Sequence, residues 1–385
     1  MLANAEEVLD AAPERVEAPC VHHRVCGGCV FQEMDPSAQI AHKRAQLSAD
    51  FEAAGVNPER WLPDRRGAST GYRRRARIGV RYVRSKEEVL VGFRERIDRR
   101  FVARMNSCSV LRPPAGELIA PLAALIQDLS IRASVPQVEV AIGDDQCVLV
   151  VRVLEPPTTE DIEAFRAFAL RHEVHVYLQS GGLDTIQPLP GESPAILSYS
   201  VAGLQFRFTP TSFVQVNGEM NEVLVADAIE HLQLEQDSRV LDLFCGLGNF
   251  TLPIAAKGAQ VLGVEGEASL VELGRENAAR NQIDGATFAQ QNLYQDPERA
   301  AWANATWDRV LLDPPRTGAE EVVRVLGGMK PERIVYVACG PESLARDAGI
   351  LVGEFGYQLE AAGVVDMFPH TAHFESIAVF SRPSE

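Results

Sequence analysis

Apolar and polar positions follow two different rhythms along the chain. From Arg73 to Val110 the spacing is mostly two, clearest in Ala76–Val83 and Glu88–Arg94. Such alternation predicts half-buried strands. Gln39–Ala54 keeps helical spacing instead, with Ile40, Leu47 and Phe51 apolar among charges. Residues 115–130 read as a further helix, and Val135–Val153 as a hairpin turning at Gly-Asp-Asp-Gln. Thr158–Arg171 reads as a helix opened by a Thr-Thr-Glu-Asp cap, and 173–208 as short strands. This stretch is α+β.

Near Thr209-Pro210 the rhythm changes. After a helix over Asn217–Leu232, strands are predicted at 239–244, 260–265, 286–290, 308–312 and 333–338. Helices are predicted from Phe250 and over 269–281, 318–329 and 342–353. Two strands, 357–367 and 374–381, close the chain. This α/β alternation predicts a parallel sheet with helices on both faces, and the last pair an antiparallel edge. Ligands of such sheets sit at the carboxyl ends of the strands. That places Asp242–Asn249, Glu265, Asn292, Asp313–Arg316 and Cys339 on one rim.

At 385 residues, 46% hydrophobic and 23% charged, the chain reads as a globular protein of two domains. It has no apolar run of the ~18 residues a membrane span needs. Its start is acidic and unlike a signal peptide, so a cytoplasmic location is expected. Seven cysteines there argue against a disulfide framework. The net charge of −16 hides an asymmetry: residues 65–104 hold 14 Lys/Arg against 4 Asp/Glu. Thirteen of the 14 are arginine, interleaved with Tyr72, Tyr82, Phe93 and Phe101. Planar cations suit phosphate and aromatic faces suit unpaired bases, so this window is a candidate nucleic-acid contact. The plainer alternative is a solvated charged face.

Four constellations carry chemistry. Asp242-Leu-Phe-Cys-Gly-Leu-Gly-Asn249 is a glycine loop after a strand, and Glu265 ends the next strand, 23 residues after Asp242. An acid there can accept both hydroxyls of a ribose. No Gly-Lys-Ser/Thr follows and the spacing is not Gly-x-Gly-x-x-Gly, so S-adenosylmethionine fits better than a dinucleotide. Asp313-Pro-Pro-Arg316 is a stiff loop of the kind that faces a flat base, or an amino group. Cys339 ends a strand, and Glu375 begins the last one. Carbon 5 of uracil becomes nucleophilic only after a thiolate adds to carbon 6, and a base must later remove the carbon 5 proton. His370 and His373 are rival bases, Cys245 reads as packing, and a lone strand-end cysteine is more often core. Finally Cys20, Cys26 and Cys29, with the distant Cys108, suit a zinc ion or an iron–sulfur cubane.

Together these features resemble the bacterial RNA uracil-5-methyltransferases that carry an iron–sulfur cluster. The matching stretches are Cys20–Cys29, Ser212–Asn217, Leu241–Thr251, Leu312–Ala319 and Asp366–His373. The resemblance implies a class I, Rossmann-like methyltransferase domain over 209–385 and an iron–sulfur, RNA-binding α+β module over 20–208, after a flexible leader at 1–19. It implies a [4Fe-4S] cluster on Cys20, Cys26, Cys29 and Cys108. It implies S-adenosylmethionine contacts from Gln215, Phe244, Asn249, Glu265, Asn292 and Asp313, with Cys339 as nucleophile and Glu375 as proton acceptor. The implied partner is 23S ribosomal RNA, the alternatives being another ribosomal site, a transfer-RNA loop or a non-catalytic RNA-binding role. No obligate protein partner is expected, and a monomer is.

Two departures stand out. Members of the 23S branch usually begin with a small oligonucleotide-binding barrel, and about 19 residues before Cys20 are too few for one, so none is expected. The family's Cys-Asn-Pro is Cys339-Gly340-Pro341 here.

Overall fold

The computed structural model describes residues 8–383, so the first seven residues of the expected leader lie outside it. Helix α1 spans Pro36–Ala53. Asp35 caps it by accepting the Ser37 N–H (2.8 Å), and Pro36 occupies the first turn, where its missing N–H costs nothing. Strands β1 (Arg60–Trp61), β2 (Arg75–Val83) and β3 (Glu88–Gly92) follow. Next come α2 (Ile119–Asp128), β4 (Gln137–Ile142), β5 (Cys147–Arg152), α3 (Thr159–His172), β6 (His175–Gln179), β7 (Ile186–Pro188), β8 (Leu197–Val201) and β9 (Leu204–Phe208). The Thr158 cap of α3 is a full capping box with Asp161.

The second half alternates as the sequence predicts. It holds α4 (Gly218–Leu232), β10 (Arg239–Leu243), α5 (Thr251–Ala255), β11 (Gln260–Glu265), α6 (Ala268–Arg280) and β12 (Ala286–Gln290). It ends with β13 (Arg309–Leu312), α7 (Glu320–Met329), β14 (Arg333–Ala338), α8 (Pro341–Gly353), β15 (Gln358–Val365) and β16 (Glu375–Ser381). Eight strands form one sheet in the order β1-β15-β16-β14-β13-β10-β11-β12. From β14 to β12 neighbours are parallel, and β16 is antiparallel to both β14 and β15. The final pair is therefore antiparallel, but it is not the edge. The two-residue β1 pairs in parallel outside β15.

A second, six-stranded sheet runs β3-β2-β4-β5-β6-β7. The β8–β9 hairpin buries Tyr199, Phe206 and Phe208 in the same core as Leu224 of α4, Phe250 before α5 and Val261 of the larger sheet. Residues 36–61 also side with that sheet, across the 208/209 division expected from the sequence. Ile40, Leu47 and Phe51 of α1 share a core with Val310, Tyr336 and Leu351. An apolar stripe tells that a helix is buried on one side, not which sheet it covers. The leader is tied near its end: Val16 N–H donates to Glu33 O (3.0 Å) and Asp35 N–H to Glu14 O (2.7 Å). Among the described residues no helix is long and apolar enough to cross a membrane.

The buried stripe of α1 also carries two polar groups, Gln39 and Lys43. Lys43 Nζ donates to Asp366 Oδ1 (2.6 Å) and to Phe368 O (3.2 Å). Gln39 Oε1 accepts the His370 N–H (2.8 Å), while its amide donates to Phe31 O and Met34 O. Val30 and Phe31 N–H both donate to His370 O (2.8 and 2.9 Å). The segment from Asp366 to Thr371 is thus bound to α1 and to the cysteine-rich segment, and it leads directly into Glu375. Lys43→Met should leave the Asp366 charge buried and unpaired, costing roughly 3–5 kcal/mol in urea unfolding. The double variant Lys43→Met/Asp366→Leu should lose clearly less.

Candidate active site and the cysteine pocket

The carboxyl ends of β10, β11, β13 and β14 meet at one rim. After β10 the chain turns sharply, with positive φ at Phe244 (65°), Gly246 (55°) and Gly248 (93°). A left-handed φ at a phenylalanine is uncommon, and here the packing holds it. Phe244 and Cys245 N–H both donate to Val264 O (2.9 and 3.1 Å). The turn brings Gly246 N–H to Glu265 Oε2 (3.1 Å), while Glu265 Oε1 accepts the Glu267 N–H (3.0 Å). Asn249 and Asn221 exchange two amide hydrogen bonds (2.9 Å each), and Asn249 Oδ1 also accepts the Tyr199 hydroxyl (2.9 Å). Both amides are therefore oriented before any ligand arrives.

These elements enclose a cavity of about 550 Å³. Gln215, Phe244, Asn249, Glu265, Asn292 and Asp313 all line it, and so do Cys339 and Glu375. Its size suits a small-molecule ligand. Sequence reasoning missed Tyr199, Phe213 and Tyr294, which line the same cavity. Phe213 is 68% exposed at its wall, a side chain that packing alone does not explain. Its neighbours in Ser212–Asn217 carried a signal; Tyr199, on an ordinary alternating strand, carried none.

The cleft is rich in acids whose ionisation burial disfavours. Asp242 is fully buried and accepts the Thr251 hydroxyl (2.5 Å). Burial first, then the Asp313 and Glu265 charges, push its carboxyl up to about 7. Burial pushes Asp313 up to about 7 as well. Glu375 is 4% exposed, and its Oε2 has no hydrogen-bond partner. Burial and then Asp313 hold its carboxyl well above the usual range, while the Arg316 guanidinium opposes them. The Cys339 thiol rises to about 11, mainly by burial, then by Glu375 and Asp313, again opposed by Arg316. A thiol and an unpartnered carboxyl on one cavity wall can each exchange a proton with a bound substrate.

The rival bases stand elsewhere. His370 Nδ1 faces the Gln39 amide (3.2 Å), and burial lowers its pKa. His373 Nδ1 accepts from Arg316 Nη2 (2.7 Å) and borders a groove beside Cys339 rather than the main cavity. Cys245 is 4% exposed, and burial raises its thiol. Gly340 has a definite steric role. A Cβ there would lie 2.8 Å from Arg316 O and from Ser343 Oγ, so glycine lets the Asp-Pro-Pro-Arg loop close onto the end of β14.

A family model described as tRNA (uracil-5-)-methyltransferase matches residues 196–382. A protein of Alcanivorax borkumensis named 23S rRNA (uracil(1939)-C(5))-methyltransferase RlmD is 45% identical, over 98% of this chain and 85% of its own length. A namesake from Alkalilimnicola ehrlichii is 48% identical, over 100% of this chain and 86% of its own. The chain belongs to the RNA uracil-5-methyltransferase family. Its fold is shared by the Pyrococcus abyssi tRNA (uracil-54, C5)-methyltransferase, solved with S-adenosyl-L-homocysteine. That structure superposes with a TM-score of 0.74 at 23% identity, over 97% of this chain and 88% of its own.

In this methyltransferase a second cavity, of about 440 Å³, is lined by Cys20, Cys26, Cys29 and Cys108. All four are free thiols. Burial raises Cys26 to about 12 and raises Cys29 and Cys108 as well. Among the described residues no three His, Cys, Asp or Glu side chains converge as ligands of a single metal ion. Arg316 and His373 line this pocket too.

The basic window is less free than its composition suggests. Arg65 grips Asp227 with two bonds of 2.8 Å, and Arg75 donates to Pro210 O (2.6 Å). Arg74 is buried under Tyr199 and near Asp144. Arg77, Arg100 and Arg104 pair with Glu139, Asp98 and Glu88.

A pH series of Cys339 alkylation, followed by mass spectrometry, checks the electrostatics. Wild type should react about tenfold faster per pH unit up to an apparent pKa of about 11. Glu375→Gln removes a negative neighbour and should lower that pKa; Arg316→Gln should raise it. An unchanged pKa in Glu375→Gln would mean that the two groups do not share a field.

Proposed function

We propose that this enzyme methylates carbon 5 of a uridine in 23S ribosomal RNA through a covalent bond between Cys339 and carbon 6. The observation that carries the reading is Cys339 and Glu375 on one cavity with the Asp313 loop. The relatives named for this reaction match nearly the whole chain. Bound S-adenosylmethionine supplies an electrophilic methyl group. Glu265, fixed by two backbone N–H groups, would accept the ribose hydroxyls. Phe244, Gln215, Asn249 and Asn292 would frame the rest of the nucleoside, and Asp313 the boundary with the target base.

The target base enters unstacked, because its carbon 6 is out of reach inside a helix. With the Asp313 and Glu375 carboxyls ionised, Cys339 gives its proton to Asp313 and its thiolate adds to carbon 6. Carbon 5, now enolate-like, takes the methyl. Glu375 removes the carbon 5 proton, and the thiolate leaves to restore the ring. The unpartnered Oε2 of Glu375 is the atom free to do so. Arg316, opposing both pKa shifts, limits how far the thiolate is disfavoured.

Cys20, Cys26, Cys29 and Cys108 would hold a [4Fe-4S] cluster, which supplies no electron to this reaction and ties the amino-terminal segment to the RNA-facing sheet. Residues 20–208 serve as the RNA module and 209–385 as the methyltransferase domain, with α1 and β1 lent to the larger sheet. A ribosomal-RNA substrate places the work in the cytoplasm. The family model's description leaves transfer RNA as a second target. Loss of one 5-methyluridine from 23S ribosomal RNA in a deletion strain would settle the first; loss from transfer RNA, the second.

With 5-fluorouridine RNA and S-adenosylmethionine, wild type should form a stable protein–RNA adduct, since fluorine does not leave as a proton. Cys339→Ala should form none. Glu375→Gln should form the adduct even with ordinary uridine, and should turn over at least a hundredfold more slowly. Anaerobically purified protein should be brown and hold about four irons; one zinc instead would refute the cluster.

A further inference from the structure

We propose that the turn Arg96–Phe101, with Arg24 and Val25 of the adjoining cysteine segment, is a platform on which an unpaired stretch of RNA stacks outside the active-site cavity. The proposal rests on the RNA reading above and adds where the strand lies.

Ile97 is 55% exposed, Phe101 56% and Val25 47%. Single exposed apolar side chains are ordinary, but these sit on two turns bonded to each other. Arg96 N–H donates to Val25 O (2.8 Å) and Gly27 N–H to Arg94 O (2.9 Å). Phe101 O accepts the Glu95 N–H (3.1 Å), which closes the turn. The Arg100 guanidinium lies 5.8 Å from the centroid of the Phe101 ring and is itself held by the Asp98 carboxylate (2.6 Å). The ring is therefore an exposed aromatic face beside a cation, which is what a stacking base needs.

Charge selects the occupant. Arg24 and Arg99 are exposed, Arg96 is half-buried, and no ion pair among the described residues engages any of the three. In a chain of net charge −16, cations interleaved with apolar faces match a polyanion that also presents flat apolar faces. Unpaired RNA is such a polymer; a duplex hides its base faces. The platform also adjoins the reacting site. Glu95 bridges to Cys26, which lines the cysteine pocket. That pocket shares Arg316 and His373 with the groove beside Cys339. A strand leaving the cleft past Arg316 is led toward Phe101.

The test titrates the full chain with a fluorescent unpaired RNA of about a dozen nucleotides, a length one such groove spans, and with a duplex of equal length. Phe101→Ala should weaken binding of the unpaired RNA about tenfold, Phe101→Trp should keep it, and the duplex should change less than about twofold. Arg24→Gln/Arg99→Gln should lower the slope of log affinity against log salt by about 0.7 for each phosphate that is no longer neutralised. Unfolding midpoints equal to wild type certify the fold of each variant. Equal affinity of wild type and Phe101→Ala for unpaired RNA overturns the proposal, and so does an equal loss on the duplex. A change in self-association in place of RNA affinity also overturns it and makes a second copy the occupant. Binding needs no methyl transfer. Failure to form 5-methyluridine with intact, Phe101-dependent binding would sink the catalytic reading alone. Methylation with Phe101-independent binding would sink only the platform.

Discussion

The ion pair between Lys43 and Asp366 is the constraint on which the site's geometry depends. Both side chains are nearly inaccessible, at 1% and 7% exposure. Burial disfavours the Lys43 charge, and Asp366 offsets that cost. Around this pair, Gln39 and the backbone of Val30 and Phe31 take up the polar groups of the 366–371 segment. Tyr72 OH adds a bond to Pro369 O (3.1 Å). The segment has no regular structure of its own, yet it delivers Glu375 to the first position of β16. The placement of Glu375 thus depends on a helix more than 300 residues away in the chain.

Within the cleft, the decisive quantity is where the protons reside. Asp242 and Glu375 are buried, Asp313 and Cys339 half-buried, and neighbouring carboxylates add to burial in raising Asp242, Glu375 and Cys339. Arg316 is the cation that opposes this on both Cys339 and Glu375. It also borders all three adjoining cavities. One arginine therefore connects the thiol, its acid partner and the cysteine pocket. In this chain Gly340 leaves room for its backbone carbonyl, which a Cβ there would crowd.

Much of this was legible in the linear chain. The strand–helix alternation after Thr209 located every strand of the parallel sheet, because each buried strand is a short apolar run between turn residues. The rule that ligands gather at strand carboxyl ends then put Asp242–Asn249, Glu265, Asp313 and Cys339 on one rim. The arginine window misled in part. Composition counts charges, but Arg65, Arg74 and Arg75 spend theirs on Asp227, on the space beneath Tyr199 and on Pro210 O. The edge of the sheet was equally unreadable, since two residues, Arg60 and Trp61, carry no periodicity.

By itself the sequence determined the element order, the chemistry-bearing residues and the family they resemble, because these depend on short-range pattern and residue type. Only the tertiary structure decided which of those residues share a cavity, which arginines remain free and which acids burial makes harder to ionise. It also decided that α1 and β1 join the larger sheet rather than their neighbours in the chain. Those outcomes depend on burial and on contacts between distant segments, and neither is a property of any stretch read alone.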